Sequence, residues 1–137
     1  MEKAQEFEKF LNDSLRPDYL KAVQFREDIL DECREYEYLL LAIQKIQKST
    51  QPSLNTLINL GQHVMVNAEI SDCSKIIVKM LDDLFVELPL DRAAQFVKAK
   101  VTVLTQKAEH CNETVAHIRA HMDLILSSLE DLYAIQK

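Results

Sequence analysis

Along the second half of the chain, apolar residues recur at alternating steps of four and three. From Leu90 the positions run through Ala94, Val97, Val101, Leu104, Ala108, Cys111, Val115, Ile118, Met122, Ile125, Leu129 and Leu132, thirteen in succession without a polar residue. A repeat averaging 3.5 keeps a single stripe on one helix face and winds it left-handed against a partner, which predicts a coiled-coil helix over residues 89–137. The first 48 residues carry a weaker version of the stripe: Leu11, Leu15, Ala22, Phe25, Ile29, Tyr36, Leu39, Ile43 and Ile46, broken by Asp18 and Glu32. Pro17 falls inside it. A proline lacks the amide donor and disfavours helix at the residue before it, so a kink or a fresh start is expected near 17, with Asp18 in a first turn that favours acids. Ser49, Thr50, Gln51 and Pro52 mark the end of this helix.

Residues 53–88 change period. Val64, Val66, Ala68 and Ile70 alternate with Met65, Asn67 and Glu69, and two further alternating runs, Lys75 to Leu81 and Leu84 to Leu88, flank Asp82-Asp83. Period 2 with frequent β-branched residues predicts strands. Gly61 supplies one turn and Ser71-Asp72-Cys73-Ser74 another, giving four short strands in two hairpins. The expected fold is therefore mostly α with a small β insert, a single domain over 1–137 in which an antiparallel two-helix coiled coil is joined by two β-hairpins. Each helical segment of about 47 residues would reach roughly 70 Å and fold back on the other, leaving both termini at one tip.

A hairpin segment this short buries too little surface to stand alone, and its strand edges lack neighbours. Assembly with other chains is the expected remedy. The residues expected to mediate it are Leu57, Ile58, Leu60, Gly61, Val64, Val66, Ala68, Ile70, Ile76, Val78, Phe85 and Val86.

Composition supports long elements and excludes several functions. One glycine and three prolines in 137 residues leave few sites for tight loops. The net charge of -6 opposes nucleic-acid backbones and acidic membrane surfaces alike. Without a basic and apolar leader or a run of eighteen apolar residues, the chain is expected inside the cell. Three cysteines without CxxC spacing suit reduced thiols and no disulfide.

The order helix, two hairpins, helix, together with several short motifs, resembles the α-class prefoldin subunits. The motifs are Leu57-Ile58-Asn59-Leu60-Gly61, Val66-Asn67-Ala68-Glu69-Ile70-Ser71-Asp72, Lys75-Ile76-Ile77-Val78, Phe85-Val86-Glu87-Leu88 and Leu90-Asp91-Arg92-Ala93-Ala94-Gln95-Phe96. Arg119-Ala120-His121, the Leu-rich end from Leu124 to Leu132, and Glu8-Lys9-Phe10-Leu11-Asn12-Asp13 resemble one prefoldin-like branch of that class. The chain departs from the family at Leu81-Asp82-Asp83, where family members usually turn on glycines; Asp tolerates the left-handed backbone such a turn needs. The resemblance implies a heterohexamer of two α-class and four β-class subunits, with strands joined into barrels and coiled coils hanging from them. It implies ATP-independent holding of unfolded clients such as actin and tubulin for the cytosolic chaperonin. For the prefoldin-like branch it implies assembly and transcription-cofactor roles, in both cytoplasm and nucleus.

No catalytic chemistry is legible. His117 and His121 stand four apart on one helix face, a spacing known from zinc sites, but the intervening Ile118, Arg119 and Ala120 supply no general base and no third ligand is evident. They read as exposed histidines; His110 lies two turns away. Cys111 in the stripe and Cys33 beside it read as small buried hydrophobes. One glycine precludes a phosphate-binding loop, so neither an enzyme nor a cofactor is expected.

Apolar residues that miss the stripe carry more information. Phe7, Phe10, Leu124, Leu126, Tyr133 and Ile135 gather near the expected tip, where they could capture exposed apolar client segments or pack across a broadened interface. Leu39, Leu40, Leu41, Ile43 and Ile46, with Phe96, are expected to pack under the β-segment. Two functions remain in play: an assembling chaperone subunit, and a self-associating coiled-coil adaptor with no client.

Overall fold

The computed structural model describes residues 2–49, 53–81 and 83–135. In order these form α1 (Glu2–Phe10), a π turn (Leu11–Leu15), α2 (Arg16–Lys48), β1 (Leu54–Asn59), β2 (Met65–Ile70), β3 (Lys75–Leu81), β4 (Leu84–Pro89) and α3 (Leu90–Ile135). The fold is mostly helical, with two antiparallel hairpins between long helices. Thr50, Gln51 and Pro52, read as helix terminators, and Asp82 of the last turn lie outside the described residues. Ser49 does end α2, its N–H shared between the carbonyls of Lys45 and Ile46 at 3.1 Å each. The described residues form two compact units, Met1–Arg34 with Thr102–Lys137 and Glu35–Val101.

The first unit is an antiparallel helix pair. Tyr133 donates to Glu8 at 2.7 Å, Arg26 reaches Asn112 at 3.5 Å, and Cys33 Sγ lies 3.9 Å from Thr105 Oγ1, so contacts retreat along α3 as they advance along the first helices. Leu104, Ala108, Cys111, Val115 and Leu129 of α3 are buried, facing a set that includes Ala4, Leu11, Ile29 and Cys33. Ile118, Met122, Ile125 and Leu132 are half-buried.

Phe25 corrects the expected seam. It is 53 % exposed, its ring lying 5.4 Å beneath the Lys107 ammonium, and Arg26 turns inward instead. The repeat allowed either Phe25 with Glu32 or Arg26 with Cys33 on the two sides of Ile29, and each choice offers one apolar residue in two. Packing against α3 selects the second pair. The aliphatic stem of Arg26 lies in the seam while its head pairs with Glu27 at 2.7 Å and reaches Asn112.

The π turn answers Pro17. In a regular helix its ring would collide with the Asp13 carbonyl; here the preceding turn is widened and the Arg16 N–H donates to the carbonyl of Leu11, five residues back. The widened turn also re-phases the helix. Counting back in sevens from Cys33 passes Arg26 and Tyr19 and lands on Asn12 and Gln5, yet Leu11 and Ala4 are the buried residues. The extra residue turns the seam by one position and brings apolar side chains into register.

The second unit seats the β3–β4 hairpin on the helices. Val78 is buried with Ile43 of α2 and Ala93 and Val97 of α3, surrounded by Tyr36, Leu39, Leu40, Ile76, Leu88, Phe96 and Val101. Pairing of Ile76 with Leu88 and Val78 with Val86 puts these four on one hairpin face. The register slips between Lys79 and Leu81, so Met80 forms a bulge. Leu41, expected under the strands, is 54 % exposed, because it lies about 160° around α2 from Ile43.

The β1–β2 hairpin is covered differently. Leu54 pairs with Ile70, Thr56 with Ala68 and Ile58 with Val66, which makes one face apolar, while Asn55 with Glu69, Leu57 with Asn67 and Asn59 with Met65 make the other largely polar. No described element buries the apolar face: Leu54 at one end borders a groove beside α2, yet Leu54, Ile58, Val66 and Ile70 are all exposed. At the turn, the Val64 N–H donates to Gly61 O at 3.0 Å, and Gly61, Gln62 and His63 all have positive φ, 96°, 48° and 64°. Gln62 and His63 therefore occupy the two central positions of a left-handed hairpin turn that favours Asn-Gly, a conformation costly to residues with a Cβ.

Two stability outcomes follow from these contacts. His63→Gly relieves left-handed strain and raises stability by about 1 kcal/mol, whereas Ile43→Ala opens a cavity beside Val78 and Val97 and lowers it by about 2–4 kcal/mol. Chemical denaturation followed by circular dichroism measures both.

Candidate interaction surfaces

The residues expected to mediate assembly separate into two groups. Leu57, Ile58, Leu60, Gly61, Val64, Val66, Ile70 and Phe85 are exposed, and Ala68 and Val86 are half-buried. Val78 and Ile76 are corrections. Val78 is only 2 % exposed and Ile76 packs against its cluster, so both side chains serve the chain's own core. Leu54, Met65, Ile77, Leu81 and Leu84 are further exposed apolar residues on the strands that the alternation did not single out. For Leu54 the deciding signal is its pairing opposite Ile70, which only strand register reveals.

The link between the hairpins is organised by Asp72. Its carboxylate accepts the Ser74 N–H at 2.9 Å, and hydrogen bonds from the Ser74 hydroxyl and amide, helped by Lys75, hold this carboxyl below the usual range. Cys73 beside it lines an apolar groove of about 420 Å³ with Ala42, Lys45, Ile46, Ser49, Ser53 and Leu54.

In the first unit, Phe7, Phe10, Leu124, Leu126, Tyr133 and Ile135 are all exposed, Ile135 at 83 %. They do not form one patch. On α3, Leu124 and Ile135 fall on one flank of the seam and Leu126 and Tyr133 on the other, given 100° per residue. Tyr133 and Leu126 border an open groove of about 450 Å³ with Glu8, Leu11, Asn12, Arg16, Leu129 and Glu130. Leu20, Tyr38 and Val103 are also exposed, outside any site the sequence indicated.

The groups with possible chemistry are dispersed. His117 and His121 are exposed, and His110 Nδ1 lies 3.4 Å from Glu113. Among the described residues no three His, Cys, Asp or Glu side chains converge in a metal-binding arrangement. Cys33 and Cys111 are buried free thiols and Cys73 is half-buried. No described helix is long and apolar enough to cross a membrane.

Two hairpins between paired helices agree with a sequence match to the prefoldin subunit family over residues 21–134. The chain belongs to the prefoldin family. This prefoldin subunit is 27 % identical to Protein UXT of Bos taurus over 135 residues, 98 % of this chain and 86 % of the relative. It is 30 % identical to the Protein UXT homolog of Dictyostelium discoideum over 126 residues, 92 % of this chain and 78 % of that one. Prefoldin subunit alpha of Methanocorpusculum labreanum is 28 % identical over 79 residues, 58 % of this chain and 54 % of the relative. In structure it resembles a chain of the filamentous PFD from Methanocaldococcus jannaschii, with a TM-score of 0.63, 11 % identity, and coverage of 85 % of this chain and 98 % of that chain. At that identity the likeness shows the fold.

The Tyr133–Glu8 contact has a pH signature. The hydrogen bond to Glu8 is the main reason the Tyr133 phenol is held above its ordinary range. Folding tightens proton binding, so the contact supports the fold below the ordinary phenol value and is lost as pH rises through the raised one. In an ultraviolet titration of the four tyrosines, Tyr133 ionises at higher pH than its ordinary value, and Glu8→Gln lowers its midpoint.

Proposed function

We propose that this prefoldin subunit is a non-catalytic component of a prefoldin or prefoldin-like heterohexamer, assembled with β-class subunits and another α-class subunit, that holds or helps assemble client proteins without ATP. The observation that carries this reading is the bare apolar face of the first hairpin. Leu54, Ile58, Val66 and Ile70 are presented on a ribbon too small to be stable alone. Covering that face removes apolar area from water at roughly 25 cal/mol per Å², a gain that only another polypeptide offers. Kinship with Protein UXT and with a prefoldin subunit alpha supports the same conclusion.

The exposed Phe7, Phe10, Leu124, Leu126, Tyr133 and Ile135 are the surfaces this reading gives to clients, which they would meet through many weak apolar contacts. Kinship with Protein UXT also favours activity in both cytoplasm and nucleus and a role as a transcription cofactor. The dispersal of histidines, thiols and carboxylates favours a binding role over an enzymatic one. Against the coiled-coil adaptor stands the use of the seam within the chain: the α3 stripe in the first unit is already covered by the chain's own helices.

Size measurement tests the assembly reading. The isolated chain aggregates or runs heterogeneously, and co-expression with β-class prefoldin subunits brings it into a defined hexamer; a stable isolated homodimer indifferent to those subunits favours the adaptor. For the client surface, the combined change of Phe7, Phe10, Leu126 and Tyr133 to Ser leaves assembly intact and lowers suppression of client aggregation severalfold in a light-scattering assay. Unchanged suppression counts against these residues.

A further inference from the structure

Tyr133, in the last turn of α3, donates to Glu8 of α1 at 2.7 Å and fastens one helix to the other. Both residues are exposed, and they border an open groove in which Glu130 adds a second carboxylate and Arg16 is the sole basic residue. Arg16 lies about two turns along the helix from Glu8 and forms no ion pair among the described residues. The phenol thus sits among carboxylates, and its proton is what makes the contact attractive.

The same phenol is the most accessible to an enzyme that modifies tyrosine. Tyr19, Tyr36 and Tyr38 lie inside α2, and Tyr36 also packs against the Val78 cluster. Tyr38 is exposed and follows Glu35 and Glu37, but a kinase takes its substrate as an extended segment, so the middle of a 33-residue helix would have to unwind. Tyr133 needs only the end of α3 to fray. The last carbonyls of a helix lack intrahelical partners, and no basic side chain in this turn complements them. Glu130 and Asp131 precede it, so the segment Glu130-Asp131-Leu132-Tyr133 carries negative charge suited to a basic substrate groove.

We propose that Tyr133 is a phosphorylation site for a protein tyrosine kinase with a basic substrate groove, and that the phosphate releases α1 from α3. In the transfer the phenol oxygen bonds to the γ-phosphorus of ATP, the bond from that phosphorus to the β,γ-bridging oxygen breaks, ADP leaves, and the phenol proton passes to a carboxylate of the kinase. The product has lost the donor that held Glu8 and carries a charge of about -1.5 to -2. Facing Glu8 and Glu130 at the C-terminal end of a helix, it turns attraction into repulsion. α1 has nine residues and reaches α2 through the widened turn, so packing on α3 rather than its own length sustains it. Its release bares Ala4 and Leu11 and displaces Phe7 and Phe10.

The test treats the full chain, alone and co-purified with β-class prefoldin subunits, with ATP, magnesium and a purified tyrosine kinase domain selective for acidic peptides; either preparation reports the site. Mass spectrometry finds roughly tenfold more phosphate on Tyr133 than on Tyr19, Tyr36 or Tyr38, and combining Glu130→Gln with Asp131→Asn lowers the rate roughly fivefold. Amide exchange over residues 4–10 quickens about tenfold on phosphorylation, whereas Tyr133→Phe, which loses the hydrogen bond without gaining charge, quickens it about twofold. With Glu8→Lys the phosphate meets a cation, and phosphorylation slows exchange instead. Phosphate chiefly on another tyrosine, or none, overturns the site. Unchanged exchange in the phosphorylated wild type, or slower exchange through capture of the phosphate by Arg16, overturns the release of α1.

Discussion

Val78 packs against Ile43, Ala93 and Val97, and the organisation of the second unit depends on that contact. A two-stranded ribbon has two faces and two edges, and it is unstable in water until at least one face is covered. The helices cover one face of the β3–β4 hairpin through Val78, Ile76 and Leu88. The β1–β2 hairpin receives no such cover, although its apolar face is equally regular. This unequal treatment makes one hairpin part of the subunit's own core and leaves the other available to a partner.

In the first unit the corresponding constraint is the apolar stripe of α3, which faces helices of less regular sequence. Pro17 and Arg26 are the two departures, and each is absorbed locally. The π turn relieves the collision at Pro17 and brings Leu11 and Ala4 to the seam. Arg26 keeps its stem in the interface while its head finds Glu27 and Asn112. Because the seam is satisfied, Phe7, Phe10, Leu124 and Ile135 have no structural employment within the described residues and remain exposed. The first unit thus combines a fixed helix pair with apolar side chains that its own seam leaves exposed.

A division of labour between the units connects the fold to the proposed role. In that role the strands would recruit partners through main-chain hydrogen bonds and an uncovered face, which demand defined geometry. Exposed phenylalanines and leucines on helices need no fixed geometry, which suits contacts with many different sequences. Membership in the prefoldin family agrees with the proposed binding role.

The sequence by itself determined the element order, the α3 stripe and the presence of two hairpins. Those features depend on periodicity, which local chemistry enforces along a single segment. It could not choose between Phe25 and Arg26, since both phases of the repeat offered one apolar residue in two, and only packing against α3 decided. Nor could it separate Val78, buried in its own chain, from Val66, which is bare, because both belong to alternating apolar strands. Burial is a relation between segments distant in sequence. Pro17 announced a disturbance near residue 17, but only the structure shows it taken up as a π turn at Leu11–Leu15 that re-phases the seam. The left-handed pair Gln62 and His63 was not legible, because neither residue type asks for positive φ.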